Sequence, residues 1–488
     1  VKFIINNSYT QVVDCPTQAL EQIADWCKVN YSYWGQDWTF KPPRKIIRNK
    51  SIYYLNQDGF FPTGWAGKFI KELNEQGHSI KIQDERRKPN YTIRFLGDET
   101  IKLRDYQREA LEAALKTKRG IIHHATGSGK TINAAAIIKA ISVQALVIVP
   151  DINLLDQTAH ELERFLGEDC MGKIGNSLWK PNHVTVSTIQ TLGSRLRTNP
   201  IKVKSFLKNI DLLVLDEAHH VNITGVKKPG KKKAGTPKPN TQYYEISMLT
   251  NAYYRFGLTA TPGSLNKIER RLLEGVTGKV LHHVSSSYLI ERGYLTQPII
   301  QMYKSEVPPY KEWKDAQKHN IIENIHRNLF ISKLAQGYAK QGKSVLITVD
   351  RIRHGNDLCE MLDEEAIFLS GKDDAEYRKT IFEDFKNKDL YILVSTIVRE
   401  GVDIPSMDVI IRAEGGKSDR VTIQKMGRVL RKAEGKDKAR IIDFYDDDGT
   451  KVSGTDNILR KHSKARLREY KREAAFDVQP LIDIPEIK

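Results

Sequence analysis

The run Ala125-Thr126-Gly127-Ser128-Gly129-Lys130-Thr131 places two glycines, a lysine and a closing threonine within seven positions. It follows the apolar segment Ile121-Ile122-His123-His124 and opens an amphipathic stretch at Ile132. A strand, loop and helix of this composition suits a phosphate group. Glycines let backbone N–H groups approach phosphate oxygens, the lysine neutralises the β- and γ-phosphates, and the threonine hydroxyl ligates Mg²⁺. The general pattern asks for glycine six positions before the lysine, where this chain has His124. Downstream, Asp216-Glu217-Ala218-His219 follows the apolar run Leu212-Leu213-Val214-Leu215. An acid at the end of a strand can hold Mg²⁺ through its water shell, and its neighbour can orient and deprotonate an attacking water. Together the two segments read as a nucleotide hydrolase. Thr126, Gly127, Ser128, Gly129, Lys130 and Thr131 are expected around the phosphates, Thr131 and Asp216 as the metal ligands, and Lys130, Asp216 and Glu217 as the catalytic groups.

Such residues must be carried by buried sheets. Short apolar runs alternate with longer amphipathic stretches: 121–124, 145–149, 184–187 and 212–215, then again 344–349, 391–395 and 409–411. Unbroken apolar strands between helices mean parallel sheets covered on both faces. The rhythm occurs twice, so the chain is predicted to be α/β, with two parallel-sheet lobes at 96–290 and 326–450. Residues 291–325, with Pro298, Pro308 and Pro309, read as a linker. Residues 1–95 are rich in aromatics and read as a small α+β accessory domain; residues 451–488 read as a basic tail.

The 488 residues carry a formal charge of +17, with 40% hydrophobic and 28% charged residues. That balance supports real cores and suits a polyanionic partner. No run approaches the roughly 20 apolar residues of a membrane span, no secretory signal opens the chain, and four scattered cysteines favour neither zinc nor disulfides. A soluble, intracellular protein without a membrane partner is expected.

In order along 103–445, the motifs resemble those of superfamily 2 helicases. Leu103-Arg104-Asp105-Tyr106-Gln107 is similar to the adenine-reading motif, which implies Arg104 and Gln107 at the base. Asp216-Glu217-Ala218-His219 and Leu258-Thr259-Ala260-Thr261-Pro262 imply that His219, Thr259 and Thr261 couple hydrolysis to lobe movement. Arg399-Glu400-Gly401-Val402-Asp403 resembles motif V, with Gly401 and Asp403 at the nucleotide. Gln424-Lys425-Met426-Gly427-Arg428-Val429-Leu430-Arg431 resembles motif VI, with Gln424, Arg428 and Arg431 catalytic and Arg431 the leading arginine finger. Arginines three apart on a helix share a face, and one delivered across a cleft stabilises charge on the γ-phosphoryl. The resemblance implies two RecA-like lobes of a P-loop NTPase using ATP and Mg²⁺.

Residues 51–84 extend the likeness to the UvsW-like phage recombination helicases, through a hairpin ending in Phe60-Phe61-Pro62-Thr63-Gly64 and followed by a helix. That implies branch migration and fork regression in DNA recombination, repair and replication. The partner would be forked or four-way junction duplex DNA, bound by a monomer, with phage or host replication and recombination proteins as further partners and the host cytoplasm as location. The chain departs from the family in Asp-Glu-Ala-His and in the lysine-rich insertion 225–239. An RNA helicase and the motor subunit of a restriction system are the rival readings. A non-enzymatic clamp is disfavoured by the complete hydrolytic set.

Contacts to nucleic acid are expected from three places. The insertion offers Lys227, Lys228, Lys231, Lys232 and Lys233 as a phosphate-binding arm, against a solvated loop of equal weight. The tail offers Arg460, Lys461 and Lys464 on a basic helix docked through Leu459, Leu467 and Tyr470. Most aromatics of the first domain read as core, with Phe60, Phe61 and Trp65 as the exceptions that could touch bases. His123 and His124 read as packing residues beside the loop. Deleting 227–239 is expected to weaken junction binding and flatten its dependence on salt; equal affinity at several salt concentrations would discard the arm.

Overall fold

The computed structural model describes the chain except residues 38, 40–43, 90–100, 222–241, 261–266, 311, 398–406, 417–428, 433–435, 437, 448–457 and 487–488. The described residues form two compact units, Val1–His124 with Gly129–His283, and Ala125–Ser128 with Val284–Lys488.

The first unit is built on an eight-stranded sheet whose order is 178–180, 171–175, 184–188, 145–149, 212–215, 254–259, 119–124 and 280–284. Every residue of Ala145–Val149 and Leu212–Leu215 is buried, because helices cover both faces. Alternation divides their side chains. Val147, Val149, Leu212 and Val214 join the core beneath the helix Lys130–Ile141, whereas Leu146, Ile148, Leu213 and Leu215 join Leu192, Leu207 and Ile246 on the other face. The parallel registers Leu215↔Ile148, Leu215↔Gly257 and Thr259↔His123 bring the strand ends to one edge. That is where an open parallel sheet presents its ligands.

The accessory domain belongs to the same unit. Four strands (Phe60–Pro62, Tyr9–Val13, Lys2–Ile5 and Lys81–Asp84) make its sheet, with helices Thr17–Trp26 and Ala66–Glu75. A ten-residue-per-strand hairpin, Lys28–Asp37 with Arg44–Tyr53, forms a separate two-stranded sheet. The turn between Lys2–Ile5 and Tyr9–Val13 is locked to the lobe. Asn7 Nδ2 donates to Asn251 O at 2.6 Å and Ser8 Oγ to Thr250 O at 2.6 Å. Arg255, fully buried, donates to Ser8 Oγ at 2.5 Å and to the carbonyls of Ser247, Thr250 and Ala252. A buried guanidinium needs such acceptors to offset lost hydration.

Two expected base contacts are corrected here. Phe61 is wholly buried, packing on Phe3 and Phe69. Trp65 is buried, and its indole N–H donates to Arg271 O at 2.8 Å. A domain this small has few other large apolar groups, so its turn aromatics fill the core and the joint with the lobe. Phe60 is half-buried.

The second unit has its own eight-stranded sheet, ordered 366–369, 392–395, 345–348, 409–412, 439–447, 298–306 and 477–478, with 482–483 also pairing with 298–306. Its described strands all pair in parallel. Two sequence boundaries therefore shift. Pro298–Glu306, inside the expected linker, is an inner strand aligned from Pro298↔Ala439 to Glu306↔Asp447; Pro298 is its first residue, where a missing N–H is tolerated. The expected tail also supplies strands, and its helix Ile458–Tyr470 buries Leu459, Arg466 and Tyr470. Each unit contains one RecA-like lobe.

Burial of charge fastens that helix. Asp443 Oδ2 accepts from Arg466 Nε at 2.9 Å, Arg412 Nη1 at 3.2 Å and the Tyr470 hydroxyl at 2.5 Å. Burial alone would raise the Asp443 carboxyl, but Arg466 and Arg412 hold it below the usual carboxylate range. Replacing one partner leaves a buried charge under-compensated. Arg466→Met is expected to cost about 3–5 kcal/mol, read as a lower thermal midpoint; an unchanged midpoint would show the charge to be dispensable.

Candidate active site

Gly127 and Gly129 adopt φ of 84° and 77°, the left-handed region where a side chain is strained. At Gly129 space is closed as well: a Cβ would stand 2.7 Å from Gln107 Nε2. Lys130 and Thr131 then begin the helix Lys130–Ile141. The Thr126 hydroxyl is buried without a hydrogen-bond partner. A buried hydroxyl in that state suits an incoming phosphate oxygen.

Asp216 and Glu217 follow the buried strand Leu212–Leu215. Glu217 has φ 43°, left-handed for a residue that is not glycine. Such strain gathers at sites that use it; here it precedes the short turn Ala218–His220 and leaves the carboxylate 3.2 Å from His219 Nδ1. Glu217 N–H donates to Asp216 Oδ1 at 2.9 Å. The neighbouring carboxyls diverge. Burial and the charge of Glu217 push Asp216 up to about 7, with Lys130 opposing. Burial acts on Glu217 too, but the His219 hydrogen bond and Lys130 outweigh it and hold it down to about 2. An ionised Glu217 is the form that can accept a proton. His219 Nδ1 also lies 3.4 Å from Thr259 Oγ1, both side chains buried. The structure thus brings together Lys130, Asp216, Glu217, His219 and Thr259.

Arg104 and Gln107 open the helix Asp105–Thr117 through a reciprocal cap, with Arg104 N–H donating to Gln107 Oε1 at 3.0 Å. Gln107 is buried, and its Nε2 lies 3.5 Å from Gly129 O. The residue expected at the base therefore also braces the loop. In the second unit Arg431 pairs with Leu295 in a β-bridge. Lys436, which no motif singles out, donates to Arg431 O at 3.2 Å and to the carbonyls of Val429 and Met407. Its ammonium is buried, which lowers it to about 8. One of three lysines at 432, 436 and 438 gives no spacing signal. Thr261, Gly401, Asp403, Gln424, Arg428, Lys227, Lys228, Lys231, Lys232 and Lys233 lie outside the described residues. Arg460 is paired with Asp447 at 3.3 Å, whereas Lys461 and Lys464 are exposed.

Two family models match the chain: the Type III restriction enzyme res subunit over residues 100–264, and the helicase conserved C-terminal domain over residues 325–433. With the lobes and the loop, they define the class: the chain is a superfamily 2 helicase, an ATP-hydrolysing enzyme that works on nucleic acid. Among curated relatives, the ATP-dependent DNA helicase uvsW of Enterobacteria phage T4 is 24% identical, over 94% of this chain and 95% of its own. The DNA 3'-5' translocase XPB2 of Sulfurisphaera tokodaii is 26% identical, over 70% of this chain and 81% of its own. Among solved structures, the ATP-dependent Type ISP restriction-modification enzyme LlaBIII bound to DNA has a TM-score of 0.57 at 18% identity, covering 85% of this chain and 34% of that one; the likeness is one of fold.

Glu217→Gln is expected to retain nucleotide binding and lose about 10²–10⁴-fold in turnover, measured as ATPase rate. Near-normal turnover would remove Glu217 from the role of base. Lys130→Ala should lose nucleotide binding or hydrolysis in the same assay.

Proposed function

We propose that the protein remodels branched DNA, driving branch migration and fork regression by ATP hydrolysis. The observation that carries this reading is the similarity to the phage helicase uvsW along nearly the whole of both chains, accessory domain included. An RNA helicase and a restriction motor are the alternatives.

The physical layout fits such work. A fork remodeller needs a motor and a rigid body that meets the branch. The accessory domain is hydrogen-bonded to the first lobe through Asn7, Ser8 and Trp65. Its hairpin is a sheet of its own, and the sequence of that hairpin is rich in aromatic and basic residues. Phosphates favour such basic residues and bases favour the aromatic ones. On the helix Ile458–Tyr470, exposed Lys461, Lys464 and Arg468 share the side opposite Leu459, Arg466 and Tyr470, a second candidate for phosphate contact.

In hydrolysis, Lys130 and the loop N–H groups bind the phosphates and Glu217 takes a proton from the attacking water; Arg431 is assigned as the arginine that carries positive charge to the γ-phosphoryl. Thr131 and Asp216 would hold Mg²⁺. A hydroxyl and a carboxylate are the hard oxygen donors this ion takes. Bound there, Mg²⁺ neutralises phosphate charge. No described helix is long and apolar enough to cross a membrane.

ATPase rates with single-stranded DNA, duplex DNA, a model fork, a four-way junction and structured RNA test the proposal. Forks or junctions should stimulate most, with branch migration in the same reactions. Strongest stimulation by RNA would overturn the substrate while leaving the ATP site intact.

A further inference from the structure

Three His-His doublets lie at 123–124, 219–220 and 282–283. The first and last meet across neighbouring strands, Arg119–His124 and Val280–Val284. His124 Nε2 is 2.9 Å from His282 Nδ1, and His282 Nε2 is 3.1 Å from Glu109 Oε2. Glu109 belongs to the helix Asp105–Thr117, which also places the Tyr106 ring edge-on to His124, centroids 5.6 Å apart, and Gln107 against Gly129. One helix therefore holds His124, which enters the phosphate loop, and Gly129, which leaves it.

We propose that Glu109, His282 and His124 form a hydrogen-bonded chain that positions the phosphate loop for nucleotide. His124 is a positioning residue, standing where the general loop pattern has glycine. Glu109 Oε2 faces His282 Nε2, and one hydrogen lies between His282 Nδ1 and His124 Nε2. His124 is fully buried, and burial, with His282 and Lys130 next, pushes it down to about 3, so it enters the chain neutral. Its other ring nitrogen, Nδ1, is buried without a partner. That is a polar group without compensation at the foot of the loop, and the orientation of the ring depends on its Nε2 bond. The second pair packs alongside: His123 and His283 have centroids 4.3 Å apart, with His123 Nε2 3.2 Å from Ala260 O. A metal site is a poorer account of the cluster, since among the described residues no three such side chains converge on a common point.

The inference rests on ATP hydrolysis alone and not on which nucleic acid is bound. Steady-state ATPase on the full chain tests it. His282→Phe keeps the ring volume and removes the chain. The KM for ATP should rise about 5- to 10-fold, the factor one hydrogen bond supplies, with kcat changed less than about 2-fold. His282→Asn, which returns an acceptor near the Nδ1 position, should recover most of the loss. Glu109→Ala, at a side chain 64% exposed and so without risk to folding, should raise KM about 2- to 3-fold. A KM unchanged in Glu109→Ala and His282→Phe, or equal in His282→Phe and His282→Asn, would overturn the chain as a positioning device.

Discussion

Two consecutive, half-buried carboxyl groups set the terms for the first lobe. Asp216 and Glu217 follow a strand whose four residues are all buried, and burial raises both carboxyls. The fold resolves the conflict by treating them differently. The left-handed turn at Glu217 places its carboxylate 3.2 Å from His219 Nδ1, and Lys130 lowers both carboxyls. Asp216 is left with the heavier burden of burial and like charge. The pairing separates a group poised to take a proton from one suited to a cation, a division of labour that adjacent acids in water would not show. Register does the rest, because Leu215, Gly257 and Ile121 align and so the lysine, the acids and Thr259 share one edge.

The second lobe solves a related problem with opposite signs. Arg327, Arg412 and Arg466 are all fully buried, and each finds a carboxylate or carbonyl: Arg327 lies 3.7 Å from Asp446 and donates to Ala413 O at 2.7 Å. Such a network is weak evidence for net stability, because desolvation offsets much of the attraction. Its effect is geometric. Arg412 lies on a central strand, Asp443 on the next and Arg466 on the C-terminal helix, so the three cannot be satisfied unless those elements take one arrangement. Lys436 does the same locally by holding the carbonyls around Arg431.

Much of this was legible in the sequence, for identifiable reasons. Glycine, lysine and threonine at fixed spacing have a chemical meaning that survives any packing, and runs such as Ala145–Val149 can only be strands covered on both sides. Parallel sheets also need crossover helices, which gave the alternation. What escaped is what depends on distant partners. Pro298–Glu306 looks like a linker because prolines flank it, yet its strand character comes from pairing with Ala439–Asp447, more than 130 residues on. Phe61 and Trp65 look available at a turn, and only the helix Ala66–Glu75 and Arg271 decide that they are interior. Arg466 reads as one more basic residue in a basic stretch until Asp443 is seen beside it.

The helix Asp105–Thr117 touches the phosphate loop at both ends of that loop. Sequence resemblance assigns its first turn to the base of the nucleotide. In the fold, the same turn caps itself through Arg104 and Gln107, sets Gln107 against Gly129 and reaches His124 through Tyr106. Gln107 and Tyr106 lie in one turn, so the contact with Gly129 and the contact with His124 are made by the same end of the helix, through packed groups that have few alternative positions.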